Sequence, residues 1–181
     1  MATEEKYRQI PGVVKALGDI LRISINSSEP LIAVEQELEY MRGYLMIQRA
    51  RFGERLNVRI EAAEELMEAK IPAFSVQPLV ENAIIHGLDG CENGYICIYA
   101  AQKDGILRIS VTDDGCGMGQ EMLDWINSPD PIKRDGHLGL YNVIRILKLY
   151  YGEEYGMQAE SDAEGTTVTL TLPAQKEAPH V

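Results

Sequence analysis

The sequence predicts an α+β layer sandwich preceded by a helical arm. Residues 10–26 and 34–52 place apolar side chains at intervals of three and four, the spacing of one helix face. Between residues 56 and 172, apolar and polar residues instead alternate in several short stretches, as they do in strands that bury one face. Helices that come first, followed by strands with helices between them, are typical of this fold class.

Composition limits the possible functions. The 181 residues are enough for one substantial domain, or for one domain with a helical extension. Apolar residues make up 45% and charged residues 25%, as in ordinary globular proteins. The 17 Lys and Arg against 28 Asp and Glu give a formal net charge of -11, and no basic cluster interrupts the acidic surplus. Nucleic acid and anionic lipid are therefore poor candidate partners.

Cysteine usage and hydropathy indicate a cytosolic chain. Cys91, Cys97 and Cys116 make an odd number without a CxxC pair, so a disulfide framework is not expected. Residues 1–12 lack the basic start and apolar core of a signal peptide. No run of about 20 apolar residues occurs, so the sequence predicts a chain that does not cross a membrane by itself.

Two helices are predicted in the arm, separated by a break at SSEP, residues 27–30. The first is expected to have one buried seam, formed by Val13, Leu17, Ile20, Leu21 and Ser24. The second steps by three and four residues through Leu38, Met41, Leu45, Gln48 and Phe52. Gly53 is its expected C-terminal stop.

Five strands are predicted from alternation and β-branched residues: residues 56–62, 95–101, 106–113, 156–161 and 166–172. The second and third are joined by KDG, which indicates a hairpin turn, and the last two flank the turn DAEG. A charged connector, residues 61–70, follows the first strand.

Between the third and fourth strands, residues 114–138 are rich in Gly, Pro, Asp and Ser, with one short helical candidate at 120–127. Long irregular segments inside compact domains are usually lids or binding loops. Residues 140–151 then show a strong helical pattern through Leu140, Val143, Ile144, Leu147 and Tyr151. The tail from Pro173 is expected to be loose.

The stretch QPLVENAIIHG, residues 77–87, sets Glu81, Asn82 and His86 in an otherwise apolar run. On a helix, at least two of these side chains must face something other than solvent. Asn82 offers a neutral amide oxygen, a hard ligand suited to a Mg²⁺ that bridges phosphates and keeps several waters.

Three glycine-containing clusters follow: DDGCGM (113–118), GHLGLYN (136–142) and EGTTV (164–168). Asp113 ends a strand, where its carboxylate can accept a hydrogen bond from an exocyclic amine such as that of adenine. Gly115 and Gly117 would let a planar ring approach the backbone closely.

In the second cluster, Gly136 and Gly139 lead into the helix predicted from Leu140, whose free N–H groups and positive dipole end suit phosphate oxygens. Each cluster alone is weak evidence for a nucleotide site, because DxGxG is a common turn and Asn82 could satisfy a neighbouring backbone group. Their order, with about 30 residues between the first polar cluster and the second, is much more specific.

With these motifs, the chain resembles the ATP-binding domain of sensor histidine kinases, within the superfamily that includes gyrase, heat-shock chaperone and mismatch-repair ATPases. VENAIIHG matches the N box, DDGCGM and GHLGLYN the two glycine boxes, and EGTTVTLTLP the terminal Gly-Thr element. ALGDILRISI, ELEYMRGYLMIQRARFGERL and IPAFSVQPLVENA resemble the LytS/YesM subgroup. The resemblance covers residues 13–173 and implies the Bergerat ATP-binding fold, a two-layer α/β sandwich with a mixed, mainly antiparallel sheet.

The resemblance also implies a role for each motif residue. Asn82 would ligate Mg²⁺, Asp113 would bind the adenine amino group, and Thr166 would lie on the adenine side. The remaining nucleotide-binding positions would be Gly115, Gly117, His137, Gly139 and Leu140. Glu81 and His86 belong to the N box and are the expected catalytic residues; His86 could instead be a capping or core histidine. The implied activity is transfer of the ATP γ-phosphoryl to a histidine, for relay to a response regulator.

The sequence departs from the family pattern in two places. ATP-hydrolysing members usually carry a general-base Glu four residues before the Mg²⁺ asparagine, where this chain has Pro78. Proline cannot take a proton, so phosphoryl transfer to a protein side chain is expected rather than fast hydrolysis. His137 replaces a glycine in the lid, where it either contacts phosphate or is solvated.

The histidine that a histidine kinase phosphorylates is missing from this sequence. The three histidines are His86, His137 and His180, and none precedes residue 77. We therefore expect a fragment of a homodimeric, membrane-bound sensor, comprising its cytoplasmic portion without the acceptor helix. The expected divisions are 1–53, a remnant of the dimerisation and phosphotransfer region; 54–175, the catalytic domain; and 176–181, a loose tail.

Two other functions stay open. The first is a non-catalytic adaptor that binds nucleotide as a structural ligand and acts through helical pairing. The second is a standalone ATPase of the gyrase or chaperone kind, against which Pro78 argues.

Overall fold

The arm consists of two helices that pack on each other. A computed structural model describes residues 10–18, 20–22, 29–88 and 92–175, so the predictions for Ser24, Cys91, His180 and the tail 176–181 lie outside the described residues. Helix α1 comprises residues 10–18 and 20–22. Helix α2 comprises Val34–Phe52 and ends at Gly53, whose φ of 69° is easily reached only by glycine.

The predicted seam of α1 is wrong for two of its leucines. Leu17 and Leu21 are 49% and 52% exposed, whereas Ala16 is buried. The face toward α2 is set by close approach at Gly43, where an added Cβ would lie 3.3 Å from Cγ1 of Ile20. Small residues at the crossing bring Ala16 and Ile20 inward and turn the larger side chains outward.

A five-stranded sheet carries the rest of the chain, with strands β2 (Leu56–Ala62), β4 (Gly94–Lys103), β5 (Ile106–Asp113), β6 (Gly156–Asp162) and β7 (Gly165–Pro173). Their order is β2-β4-β5-β7-β6, with β2 and β4 parallel and the other pairs antiparallel. The mixed, mainly antiparallel sheet is confirmed. Asp104 and Gly105 have φ of 53° and 79° in the predicted hairpin turn.

Three helices cover one face of this sheet. Helix α3, Gln77–Asn82, continues through Ala83–Gly87 as a wider π-helical turn. Helix α4 comprises Gln120–Ile126, and helix α5 comprises Leu138–Tyr151. Helix α5 begins two residues before the predicted start, so Gly139 lies inside its first turn rather than ahead of it.

A second, two-stranded sheet, absent from the predictions, joins the arm to the sandwich. Strand β1, Leu31–Ala33, pairs antiparallel with β3, Lys70–Pro72. The N–H groups of Val34 and Glu35 at the start of α2 donate to the carbonyls of Ala69 and Met67, at 2.9 and 3.1 Å. These bonds satisfy two of the free donors of a helix N-terminus.

Helix α2 shares one hydrophobic core with the sheet. Its buried apolar residues are in contact with those of α3, α5 and the sheet: Val34, Leu38, Tyr40, Met41 and Leu45. None of the helices in the described part of the chain is long and apolar enough to span a membrane.

Candidate functional site

Asp113 and Thr166 face each other across two neighbouring strands. They are register partners on β5 and β7, and each is only 4% exposed. Oδ1 of Asp113 accepts the N–H of Gly115 at 3.0 Å, and the backbone N–H of Thr166 also bonds this carboxylate. Burial raises the pKa of Asp113, the Gly115 N–H lowers it, Asp114 raises it, and the Thr166 N–H lowers it.

Asp114, directly after Asp113, points elsewhere. Its Oδ1 accepts the N–H of Tyr95 at 2.6 Å, at the start of β4. The two adjacent carboxylates therefore have different partners, and only Asp113 is turned toward the glycine cluster.

Three glycines allow the loop after β5 to close on the end of the N box. A Cβ on Gly115 would lie 1.8 Å from the carbonyl oxygen of Gly87, and a Cβ on Gly87 would lie 2.5 Å from Oδ1 of Asp113. The N–H of Cys116 donates to that same Gly87 carbonyl at 3.1 Å. Gly117 has a φ of 78°, and its Cβ would meet the carbonyl oxygen of Asp162 at 2.0 Å.

Gly87 and Ser161 were missed by the sequence analysis. The Ser161 hydroxyl accepts the N–H of Met118 at 2.7 Å and lies 2.9 Å from the carbonyl oxygen of Gly165 and 3.0 Å from Oγ1 of Thr166. It thus joins the first glycine cluster to the terminal Gly-Thr element. Gly87 could have been noticed because it ends the polar stretch, whereas Ser161 lies in an ordinary strand pattern without a signal.

A cavity of about 350 Å³ lies beside these elements. Five of the site residues that the sequence analysis named line this cavity: Asn82, His86, Gly117, His137 and Thr166. Its other lining residues are Gly87, Met118, Gly119, Glu121, Met122 and Arg134. Asp113 and Gly115 lie behind this wall, in contact with Gly87. The structure therefore brings the N box, both glycine clusters and the Gly-Thr element to one place.

The Asn82 carboxamide fits the predicted metal role. The residue is 8% exposed and lines the cavity, and its carboxamide has no hydrogen-bond partner among the described residues. No group of three His, Cys, Asp or Glu side chains that could hold a metal occurs in the described ranges. A cation at Asn82 would therefore take its other ligands from phosphate oxygens and water, as Mg²⁺ commonly does.

A smaller cavity of about 100 Å³ adjoins the first and shares Asn82, His86 and His137 with it. Glu81, Gly139 and Leu140 line it, beside the N-terminus of α5. No side chain caps that helix end, and uncapped N–H groups of a first helical turn are available to a ligand. An added Cβ on Gly139 would lie 3.1 Å from Cβ of Pro78, so glycine lets α5 approach α3 closely.

Two histidines and an arginine line the edge of the cavities. The His86 ring is exposed, and its centroid lies 6.0 Å from that of His137. Burial lowers the pKa of His137, and electrostatic repulsion from the neighbouring His86 and Arg134 side chains lowers it further. Arg134, which the sequence analysis did not single out, is paired with Glu121 at 2.6 Å. Its signal was a basic pair, Lys133 and Arg134, in an otherwise acidic chain.

Comparison with known proteins identifies the family. The model of the histidine kinase-, DNA gyrase B- and HSP90-like ATPases matches residues 73–176, and a histidine kinase model matches residues 1–56. The chain belongs to this ATPase family. Residues 73–176 form the histidine kinase-like ATP-binding domain of this family.

The relatives of this histidine kinase domain are of the LytS/YesM type. The chain is 32% identical over 179 residues to the sensor histidine kinase YesM of Bacillus subtilis, covering 98% of this chain and 30% of YesM. It is 35% identical over 144 residues to the sensor protein LytS of Staphylococcus saprophyticus, covering 78% of this chain and 24% of LytS. The chain thus spans less than a third of each of these curated relatives.

The fold is also that of solved histidine kinases. Histidine kinase ThkA, crystallised in complex with the response regulator TrrA, matches with a TM-score of 0.60 at 20% identity. The match covers 96% of this chain and 49% of that one. The predicted fold class and the predicted family are both confirmed, whereas the roles of the individual site residues stay predictions.

Proposed function

We propose that this histidine kinase domain binds ATP with Mg²⁺ and transfers the γ-phosphoryl to a histidine on a helix outside this chain. The observation that carries the proposal is the buried Asp113–Thr166 pair beside the cavity that also contains the unpartnered Asn82 carboxamide. A hydrogen-bond acceptor for an amine (Asp113) and a ligand for a cation (Asn82) thus occur at one site, as the binding of ATP with Mg²⁺ requires.

The adenine end is assigned to Asp113, Thr166 and the glycines. The carboxylate of Asp113 would accept a hydrogen bond from the exocyclic amine. Gly87, Gly115 and Gly117 keep side chains out of the wall against which the ring would lie. Ser161 holds Met118 and the Gly165–Thr166 backbone together, and so fixes the shape of this end.

The phosphate end is assigned to Asn82 and the start of α5. Asn82 would supply the protein ligand to Mg²⁺, which neutralises phosphate charge when bound. The free N–H groups at the N-terminus of α5 would donate to phosphate oxygens, with Gly139 and Leu140 beside them. His137 and Arg134 add donors from the lid.

Transfer is favoured over hydrolysis. Bound MgATP supplies a phosphoryl group that needs mainly positioning and charge neutralisation. When the acceptor imidazole nitrogen bonds the γ-phosphorus, the bond to the β–γ bridging oxygen breaks and ADP leaves. Glu81 lines the smaller cavity and would take the proton that the imidazole loses. Pro78 packs against Gly139 and has no group that could activate water. His86, at the same end, is a candidate donor to the transferred group.

We further infer the division of the chain and its partners. Residues 54–175 would be the catalytic domain, and residues 1–53 would belong to the dimerisation and phosphotransfer region of a homodimer. The ThkA complex with TrrA supports a response regulator as the partner. Sensor kinases among the relatives support a cytoplasmic location on a membrane-bound sensor.

Titration calorimetry with ATP, with and without Mg²⁺, tests the nucleotide assignment. Asp113→Asn should weaken binding about 10- to 100-fold, the range expected for a lost hydrogen bond to a charged group. Asp114→Asn is the matched control, because its carboxylate bonds Tyr95 instead. Equal affinity of the Asp113→Asn variant and the wild type would contradict the assigned site.

Labelled ATP and a fragment of a LytS/YesM-type relative that carries the acceptor helix test the transfer. Acid-labile label on that fragment is the expected result. Nucleotide binding without transfer would favour the adaptor function. Fast phosphate release without an acceptor would favour a standalone ATPase.

A further inference from the structure

Helix α2 contacts the segment before α3 through a fully buried carboxylate. Glu37 has 0% exposure. Its Oε2 accepts the N–H of Phe74 at 2.9 Å, and its Oε1 accepts the N–H of Val76 at 2.8 Å. The backbone N–H of Gln77 also bonds this carboxylate. Glu37 therefore caps the N-terminus of α3, which has no side-chain cap of its own.

The capped segment is strained. Phe74 has a φ of 60°, an uncommon conformation for a bulky side chain. The Ser75 hydroxyl is buried and has no partner in the part of the chain that the structure describes. Such costs persist only where the surroundings fix the backbone. Glu37 and the edge contact between the Phe74 and Tyr40 rings, with centroids 4.9 Å apart, provide that fixation.

A hydrogen-bonded chain continues from α2 into the site. The Tyr40 hydroxyl donates to Oε1 of Gln77 at 2.9 Å. Nε2 of Gln77 donates to Oε1 of Glu81 at 2.7 Å. The reversed amide would turn its oxygen toward the Glu81 carboxylate, so this polarity is favoured by charge. Glu81 is thus held from α2 through one intervening side chain.

We propose that Tyr40 and Gln77 are positioning residues that orient the Glu81 carboxylate from helix α2. The inference rests on the proposed transfer function, in which Glu81 handles the proton of the acceptor. Because α2 belongs to the arm, a shift of this helix would alter the direction of Glu81 without altering the adenine end of the site.

The surroundings of Tyr40 favour a hydroxyl that stays a donor. Burial raises the pKa of Tyr40, and the negative charges of Glu37 and Glu81 raise it further. The phenol therefore keeps its proton throughout the physiological range.

Tyr44 offers a matched control one turn along α2. It is half-buried, and burial followed by the charge of Glu81 raises its pKa to about 12. Its hydroxyl bonds Gln48 rather than Gln77. Tyr44→Phe therefore removes a hydroxyl from the same face of the same helix and leaves the chain to Glu81 intact.

The test compares Tyr40→Phe, Gln77→Met, their double variant and Tyr44→Phe in the full chain. Calorimetry gives the MgATP affinity, and label transfer to the acceptor fragment gives kcat and KM for ATP. Tyr40→Phe and Gln77→Met should each lower kcat about tenfold, with KM and the ATP affinity within about twofold of the wild type. The double variant should resemble Gln77→Met, because both changes break one chain. Tyr44→Phe should keep the wild-type kcat.

Exchange of the Gln77 side-chain amide protons, followed by NMR, gives a readout that needs no transfer. Tyr40→Phe should speed this exchange, and Tyr44→Phe should not. Wild-type kcat in Tyr40→Phe, equal losses of kcat and ATP affinity, or unchanged amide exchange would each overturn the positioning role. Loss of ATP binding or transfer in the wild-type chain would instead be a failure of the proposed function, and the exchange measurement separates the two.

Discussion

At the scale of single residues, the site depends on places where no side chain fits. The Gly87 carbonyl lies where a Cβ on Gly115 would be, and the Asp113 carboxylate lies where a Cβ on Gly87 would be. The Gly115 backbone therefore packs directly on the Gly87 backbone, which in turn packs on the Asp113 carboxylate. This close packing explains why the glycines and Asp113 act together rather than as separate motifs.

Gly115→Ala should destabilise the protein by about 2 kcal/mol, because overpacking forces backbone shifts. It should also weaken ATP binding, since Gly87 and Asp113 would move with it. Thermal unfolding and calorimetry measure the two effects. Gly119→Ala is the control in the same loop, because no atom lies within 4 Å of its added Cβ. That control should cost about 0.5 kcal/mol, because Gly119 is the N-cap of α4 and alanine caps a helix less well than glycine. Equal costs for both variants would contradict the close packing at Gly115.

At the scale of elements, α2 belongs to the core of the catalytic domain as much as to the arm. Its apolar face packs on the sheet and α3, and Glu37 caps α3 from the middle of that face. The sequence analysis did not single out Glu37, although it follows Val34 by three residues and precedes Met41 by four, which is the spacing of one helix face. The hydrogen-bond partners of Glu37 could not be predicted from local spacing, because they lie almost 40 positions further along the chain.

The raised pKa of Glu37 predicts that the stability of the protein depends on pH. Burial raises its pKa from 4.5 to about 7, and the N–H groups of Val76, Phe74 and Gln77 offset part of this rise. Between these two values the folded chain binds the proton that the unfolded chain has lost. The stabilisation that this bound proton adds to the folded state is thus fully present below about pH 4.5 and is lost as the pH rises through about 7.

Urea unfolding of the wild type and Glu37→Gln from pH 4 to 8 tests this sign. The free energy of unfolding of the wild type, minus that of the variant, should fall as the pH rises through this window. The full change is at most about 3 kcal/mol. Parallel curves for the two proteins would show that Glu37 does not titrate in this way.

At the scale of the whole molecule, four of the eleven exposed large apolar side chains in the described part of the chain lie on α1. Its outer face carries Ile10, Val14, Leu17 and Leu21, each about half exposed or more. Their intervals of four, three and four form one stripe opposite the contact with α2. A contiguous apolar stripe of this kind promotes association.

Leu17→Lys with Leu21→Lys should shift the protein toward the monomer without lowering its melting temperature, because neither side chain is in the core. Sedimentation over a range of concentrations measures the shift. Leu149→Lys is the control, since Leu149 is 71% exposed on α5, away from this stripe. Identical association of the double variant and the wild type would contradict the role of the stripe.

Much of the fold could be predicted from local patterns. The observed bounds of β5 equal the predicted ones, and those of β2 do so as well. The hairpin turn at Asp104 and Gly105 follows from residues that tolerate positive φ. The short strands β1 and β3 were missed because three residues are too few for alternation to be recognised. The α1 seam was wrong because helix spacing alone did not indicate which apolar stripe meets a partner.

The sequence by itself determined the fold class, the family and the identity of the polar residues at the site, because local periodicity and motif order are written in neighbouring positions. Only the tertiary structure decided that Gly87 and Ser161 join the segments around Asp113 and Thr166, that Glu37 caps α3, and that Tyr40 and Gln77 connect α2 to Glu81. Those contacts join segments far apart in the chain. Their existence depends on how the helices pack on the sheet, which no single stretch of sequence contains.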